Sequence, residues 1–128
     1  ETRPFNAEEL TILHNKKTGA IINAAASMGS IASGFDENKL YDYSSAIGLA
    51  FQIRDDILDV SGDESVLGKP INSDLKNNKT TFVSLFGIDG ANKKLEEETQ
   101  KAINSIEFLG EKGEFLHQFA LYLLKREA

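Results

Sequence analysis

Asp55, Asp56 and Asp59 lie within Phe51-Gln52-Ile53-Arg54-Asp55-Asp56-Ile57-Leu58-Asp59, three carboxylates in a stretch otherwise rich in apolar residues. With Ile47, Leu49, Phe51, Ile53, Ile57, Leu58 and Val60 around them, the segment reads as a packed helix, where a carboxylate is costly unless something neutralises it. At about 3.6 residues per turn, Asp55 and Asp59 share one stripe with Gln52 a turn earlier, and Asp56 is rotated by about 100° toward the next. Like charges so placed repel, and a divalent cation reverses the sign of that interaction. Hard oxygen ligands with neither His nor Cys among them favour Mg²⁺, which keeps waters and shares itself with a substrate phosphate. The plainer reading of an Asp-Asp-x-x-Asp run is the solvated face of an amphipathic helix; the apolar flanks weigh against it.

Cations stand on both sides of this segment in the sequence. Downstream, Gly62, Gly68 and Pro70 mark a break from helix into loop, and Lys69, Lys76 and Lys79 are spread along it. An ammonium group suits a bound phosphate without demanding bidentate geometry, although Lys76 reads more simply as a solvated loop charge. Upstream, Lys17-Thr18-Gly19 falls inside a helical pattern from about Glu8 to Ala32, where Gly19 weakens the helix and indicates close packing or a local kink. It is not a Walker A loop, because the Gly-x-x-x-x-Gly spacing before the Lys is missing. An EF-hand beginning at Asp59 fails too, with Glu64 where the loop needs Gly and Pro70 where it needs Glu.

Taken in order, Lys17-Thr18-Gly19, Gly48-Leu49-Ala50-Phe51-Gln52-Ile53-Arg54-Asp55-Asp56-Ile57-Leu58-Asp59, Gly62-Asp63, Leu67-Gly68-Lys69, Asp74 and Asn78-Lys79 resemble the C-terminal half of the trans-isoprenyl diphosphate synthases, most closely the bacterial farnesyl diphosphate synthase (geranyltranstransferase) type. The resemblance implies an all-α fold, the C-terminal helices of an isoprenoid synthase bundle, and prenyl transfer between isopentenyl diphosphate and an allylic diphosphate (dimethylallyl or geranyl diphosphate). It implies that Asp55, Asp56 and Asp59 form the family's second aspartate-rich motif, with Asp55 the direct Mg²⁺ ligand and the other two acting through water or orienting it. Lys17, Lys69 and Lys79 resemble the lysines that contact the allylic diphosphate, with Lys17 and Lys69 acting beside Asp55 in catalysis. Thr18 and Gln52 resemble residues lining the carbocation region, and Phe51 a neighbour of the homoallylic substrate. Lys125 and Arg126 resemble a basic tail that closes the pocket in some relatives; charge complementing a helix dipole explains them equally well.

The family's first aspartate-rich motif, and the basic residues that hold isopentenyl diphosphate, belong to a preceding half that this sequence does not contain. The only Met is Met28, so residues 1–128 are expected to be the C-terminal half of a polyprenyl synthetase domain, inactive without the N-terminal half. The resemblance also implies a homodimer, the usual assembly of the family. Product length is set by residues before the missing motif, which leaves a geranylgeranyl or other chain-length synthase beside the farnesyl reading. A non-catalytic prenyl-diphosphate-binding subunit would be expected to lose aspartates or lysines, and a class I terpene cyclase typically replaces Asp-Asp-x-x-Asp with an Asn/Asp, Ser/Thr, Glu triad.

The elements that must position these groups read as helices throughout. Asn6 with Glu9 forms a capping box, with Phe5 and Leu10 as hydrophobic staple. Phe35-Asp36 with Leu40 repeats the start signal before the aspartate helix, expected from Glu37 to about Val60. Further helices are expected over Thr80 to Phe86, stopping near Gly87, from the Asp89 cap to about Phe108, and from Glu111 to Lys125, where Phe115, Phe119 and Leu123 make a stripe expected to be core. His14 and His117 have no ligand-spaced partner, and Glu96-Glu97-Glu98 reads as a solvated face. A formal charge of −6 without a basic stripe argues against nucleic acid, and zero Cys excludes a disulfide framework. No apolar run is long enough to span a membrane and no signal peptide opens the sequence, so the expected setting is the cytoplasm.

Overall fold

A helix with apolar residues on almost every face must be surrounded by other elements, and the aspartate helix is. In the computed structural model, which describes residues 3–66 and 80–127 with the backbone alone over 62–66, every regular element is helical. These are α1 (Ala7–His14), a π-helical turn (Asn15–Gly19), α2 (Ala20–Ala32), α3 (Tyr41–Val66), α4 (Phe82–Ser105), a 3-10 stretch (Glu107–Gly113) and α5 (Glu114–Lys125). The all-α expectation holds. Helix α3 is the axis: it packs most extensively on α4 and also meets α1, α2, the π turn and α5.

Two apolar clusters lie along α3. Toward its C-terminal part, Leu49, Ala50, Ile53 and Ile57 pack with Leu10 of α1 and with Phe82, Ala91 and Leu95 of α4. Toward its start, Tyr43, Ala46 and Ile47 pack with Ala102, Ile106, Ala120 and Leu123, with Phe51 against their edge. This packing buries Ile53, Asp56, Ile57 and Val60 along one side of α3 and leaves Gln52, Asp55 and Asp59 on a more open one.

Local chemistry explains the boundaries, including those the sequence misplaces. The Asn6 box is present: its Oδ1 accepts the Glu9 amide at 2.9 Å, and the Glu9 carboxylate accepts the Asn6 amide at 3.0 Å. The Asp36 carboxylate accepts the Asn38 amide at 2.9 Å, so it closes a turn ahead of the helix, and α3 starts at Tyr41 instead of Glu37. At its other end α3 runs through Gly62 to Val66; one glycine weakens a helix by about 1 kcal/mol relative to alanine and does not by itself end one. The break expected near Gly87 is present: Gly87 leaves the helical conformation at φ 72° and kinks α4, a conformation open to glycine at little steric cost. Asp89 lies beyond the kink, inside α4, and the capping residue is Thr81, whose Oγ1 accepts the Ser84 amide at 3.0 Å while Ser84 Oγ accepts the Thr81 amide at 2.9 Å. Helix α4 ends at Ser105, and a 3-10 stretch replaces the expected start of α5 at Glu111.

The stripe on α5 is only partly core. Leu123 is buried, but Phe115 is 76% exposed and Phe119 39% exposed, their rings stacked on each other at 6.4 Å. Helical period locates an apolar face without saying what, if anything, covers it.

Tyr43 ties α3 to α5 through its hydroxyl, which donates to the Leu116 carbonyl at 2.7 Å, and burial pushes its phenol up to about 12. A phenol in an unfolded chain ionises near its ordinary value of about 10. The folded-state value is the higher one, so the stabilisation is complete below pH 10 and is lost as pH rises through 12. Tyr43→Phe should therefore cost about 1 kcal/mol at neutral pH, and urea unfolding followed across the alkaline range should show that deficit vanishing toward pH 12. A deficit that persists unchanged there would show that Tyr43 ionises freely in the folded chain.

Candidate active site

The open face of α3 forms one wall of a cleft of about 610 Å³ lined by Gln52, Asp55, Asp56 and Asp59. The opposite wall is Leu10, Leu13, His14 and Lys17, an i, i+3, i+4, i+7 stripe that the π turn carries forward to the lysine. A π turn inserts extra backbone into a helix and is frequent at functional sites; this one brings Gly19 against Gly48 of α3, where a Cβ added to Gly48 would lie 3.6 Å from the Gly19 Cα. Arg3, Phe5 and Thr80 complete the lining, and the Phe5 amide donates to Thr80 Oγ1 at 3.1 Å, which joins the start of the chain to the residues ahead of α4.

The three aspartates are not equivalent. Asp56 is 8% exposed and its Oδ2 accepts the Phe82 amide at 2.9 Å. Phe82 is the first residue of α4, so this carboxylate satisfies an orphan helix donor and lies at the positive end of that helix dipole. Asp59 is exposed. The Asp55 side chain is 40% exposed and makes an ion pair with Arg126, which follows α5. Arg126 is held in two further ways: its guanidinium carbon lies 4.7 Å from the centre of the Phe51 ring, and its carbonyl accepts the Arg54 Nε donor at 2.5 Å. At the other end of the cleft Arg3 pairs with Glu9, and that hydrogen bond, with the Asn6 amide, holds the Glu9 carboxyl down to about 2.

The structure thus gathers Lys17, Gln52, Asp55, Asp56 and Asp59 in one cleft. Neither Thr18 nor Phe51 lines it: Thr18 is half-buried in the π turn, and Phe51 packs at the edge of the core beneath Arg126. Lys69 and Lys79 lie outside the described residues. His14, read from the sequence as a bystander, lines the cleft and stacks on Phe82 at 5.5 Å between ring centres; its place three residues before Lys17 on the same stripe was the available signal. Arg126 had only the weaker hint of a basic tail.

Among the described residues, no three carboxylate, imidazole or thiolate groups converge to hold a metal ion. The donor set fits Mg²⁺ in another manner: Asp55 and Asp59 offer hard oxygens to an accessible cleft, and Mg²⁺ commonly takes one or two carboxylates and completes its shell with water and phosphate. No described helix is long and apolar enough to cross a membrane.

A helical bundle with an aspartate-lined cleft of this form has clear relatives. The sequence profile of the polyprenyl synthetase family matches residues 1–119, and the chain belongs to that family. The farnesyl diphosphate synthase of Haemophilus influenzae is 39% identical over 112 residues, 84% of this chain and 38% of its own length. The geranylgeranyl diphosphate synthase of Cyanophora paradoxa is 37% identical over 122 residues, 93% of this chain and 41% of its own length. The crystal structure of an FPP/GFPP synthase from Zymomonas mobilis, 29% identical, superposes with a TM-score of 0.79 over 96% of this chain and 40% of that one. The chain therefore spans about two fifths of the length of the relatives it matches.

The different surroundings of the aspartates separate their contributions to stability. Asp56→Ala should destabilise the fold by about 1–3 kcal/mol, because it leaves the buried Phe82 amide without its acceptor. Asp59→Ala, at an exposed position, should cost less than Asp56→Ala. Equal midpoints for the two variants in chemical denaturation would show that the Asp56 hydrogen bond adds nothing to the fold.

Proposed function

We propose that the protein is a trans-prenyltransferase that condenses isopentenyl diphosphate with dimethylallyl or geranyl diphosphate to give farnesyl diphosphate, with this chain supplying the C-terminal half of the active site. The observation that carries the reading is the assembly of Asp55, Asp59, Gln52 and Lys17 on the walls of one cleft, from segments of α3 and the π turn that are far apart in sequence. Membership of a family whose relatives are named for prenyl diphosphate synthesis supports it.

Asp55 and Asp59 would hold Mg²⁺, with Asp56 orienting the set from its place on the Phe82 amide. When bound, Mg²⁺ supplies charge withdrawal from the diphosphate leaving group. The chain's own residues do the rest. The Lys17 ammonium attracts the diphosphate and stabilises the charge that grows on it as the allylic C–O bond breaks, and Lys69 and Lys79 act on the same anion. Phe5, Leu10 and Leu13 give the cleft an apolar lining, which keeps water from the allylic cation until the double bond of isopentenyl diphosphate attacks and a proton leaves, taken up by the departing pyrophosphate. The Gln52 amide presents a dipole to the same region, while Thr18 and Phe51 act from outside the lining. In this reading the missing half of the site lies on an N-terminal half with its own aspartate-rich motif, and the enzyme works as a cytoplasmic homodimer.

A second product is favoured by a specific observation: the relative from Cyanophora paradoxa, named a geranylgeranyl diphosphate synthase, is nearly as similar as the farnesyl synthase from Haemophilus influenzae. Assay of the complete protein with isopentenyl and geranyl diphosphates decides between products by chain length. Pyrophosphate release without isopentenyl diphosphate would indicate a cyclase, and no turnover a binding subunit. Asp55→Ala should lower turnover by about 10³-fold or more, because charge stabilisation at a leaving group contributes several kcal/mol. A variant within tenfold of the parent would remove Asp55 from the reaction.

A further inference from the structure

The carboxylate offered to a cation is already holding one. Arg126 makes an ion pair with Asp55 Oδ1, and the guanidinium is seated: the Phe51 ring lies beneath it, Arg54 fixes its carbonyl, and its side chain is only 15% exposed. All three residues that hold it, Phe51, Arg54 and Asp55, lie on little more than one turn of α3. Yet the seat is incomplete, for Arg126 Nε is buried with no hydrogen-bond partner among the described residues. A planar guanidinium matches carboxylate and phosphate equally well.

We propose that Arg126 and a divalent cation compete for Asp55, so that Arg126 occupies the carboxylate in the cation-free protein and is released from it when the cation binds. The inference rests on the reading of Asp55 as a cation ligand. Two positive charges on one carboxylate repel at contact distance, strongly where one of them is mostly screened from water. By linkage, the factor by which the Arg126 pair weakens cation binding is the factor by which the cation weakens the pair. The released guanidinium remains beside the cleft, with its donors free for the diphosphate that accompanies the cation. Arg126 is thus a positioning residue: it keeps Asp55 neutralised and oriented while the site is empty.

The test is Mn²⁺ binding to the complete protein with no diphosphate present, followed by the electron paramagnetic resonance of the free ion. Arg126→Gln should bind Mn²⁺ about three- to tenfold more tightly than the parent, since the competing charge is gone, and Arg126→Lys should stay near the parent value. With no cysteine in the chain, a single spin label on Glu127→Cys should become more mobile when Mn²⁺ is added. Equal or weaker Mn²⁺ binding by Arg126→Gln, with binding still abolished by Asp55→Ala, overturns the competition and leaves the assignment of Asp55 intact. Mn²⁺ binding that ignores Asp55→Ala overturns that assignment and the competition with it. Circular dichroism of each variant excludes loss of fold as the source of either result.

Discussion

The constraint on which the rest depends is that the side of α3 carrying Ile53, Asp56, Ile57 and Val60 is buried against its neighbours, while the side carrying Gln52, Asp55 and Asp59 is more open. A helix at the centre of a bundle has to be apolar where neighbours touch it, and Ile53 and Ala50, fully buried, show how closely they do. Carboxylates on such a helix have two tolerable positions: facing the open cleft, or directed at a group that neutralises them. Asp59 lines the cleft, Asp56 meets the Phe82 amide, and Asp55 lines the cleft while paired with Arg126. The same packing that stabilises the bundle thus fixes the spacing and direction of the acidic groups, and a rigid helix does this more accurately than a loop could.

Positive groups are placed around these carboxylates from parts of the chain remote in sequence. The Phe82 amide, at the start of α4, meets Asp56; Arg126, beyond α5, meets Asp55; Lys17, in the π turn, stands on the facing wall. Each arrives from a different part of the fold, so the electrostatic balance of the cleft depends on tertiary packing. The N-terminus of α4 is tied in further through the contact of Phe5 with Thr80. The segment between α3 and α4 carries Lys69 and Lys79 in sequence.

Much of this was legible in the sequence, for identifiable reasons. Apolar residues of helical period around Asp55, Asp56 and Asp59 gave the central helix and set Asp56 on a different stripe from the other two, and Gly19 gave the irregularity that proves to be a π turn. The capping box at Asn6 was read correctly because all of its groups lie within four residues. What failed depended on distant contacts or on competing local bonds. Asp36 reads as a helix cap until its carboxylate is seen to close a turn at Asn38. Gly62 reads as a terminator, although one glycine costs less than the helix gains by continuing. Phe115 and Phe119 read as core because period alone does not reveal exposure, and His14 reads as incidental because the ring it stacks on, Phe82, comes from α4. The pairing of Asp55 with Arg126, 71 residues away, has no signature in local spacing.

The central claim is that the Asp55 face of α3 receives a divalent cation together with a diphosphate. Diffraction from crystals of the complete protein grown with Mn²⁺ and inorganic pyrophosphate, recorded at the manganese absorption edge, tests it most directly. The account predicts an anomalous peak within bonding distance of an Asp55 oxygen, with pyrophosphate density between it and Lys17. Well-ordered α3 side chains with no anomalous peak in the cleft, at ion concentrations that saturate the protein in solution, would contradict it.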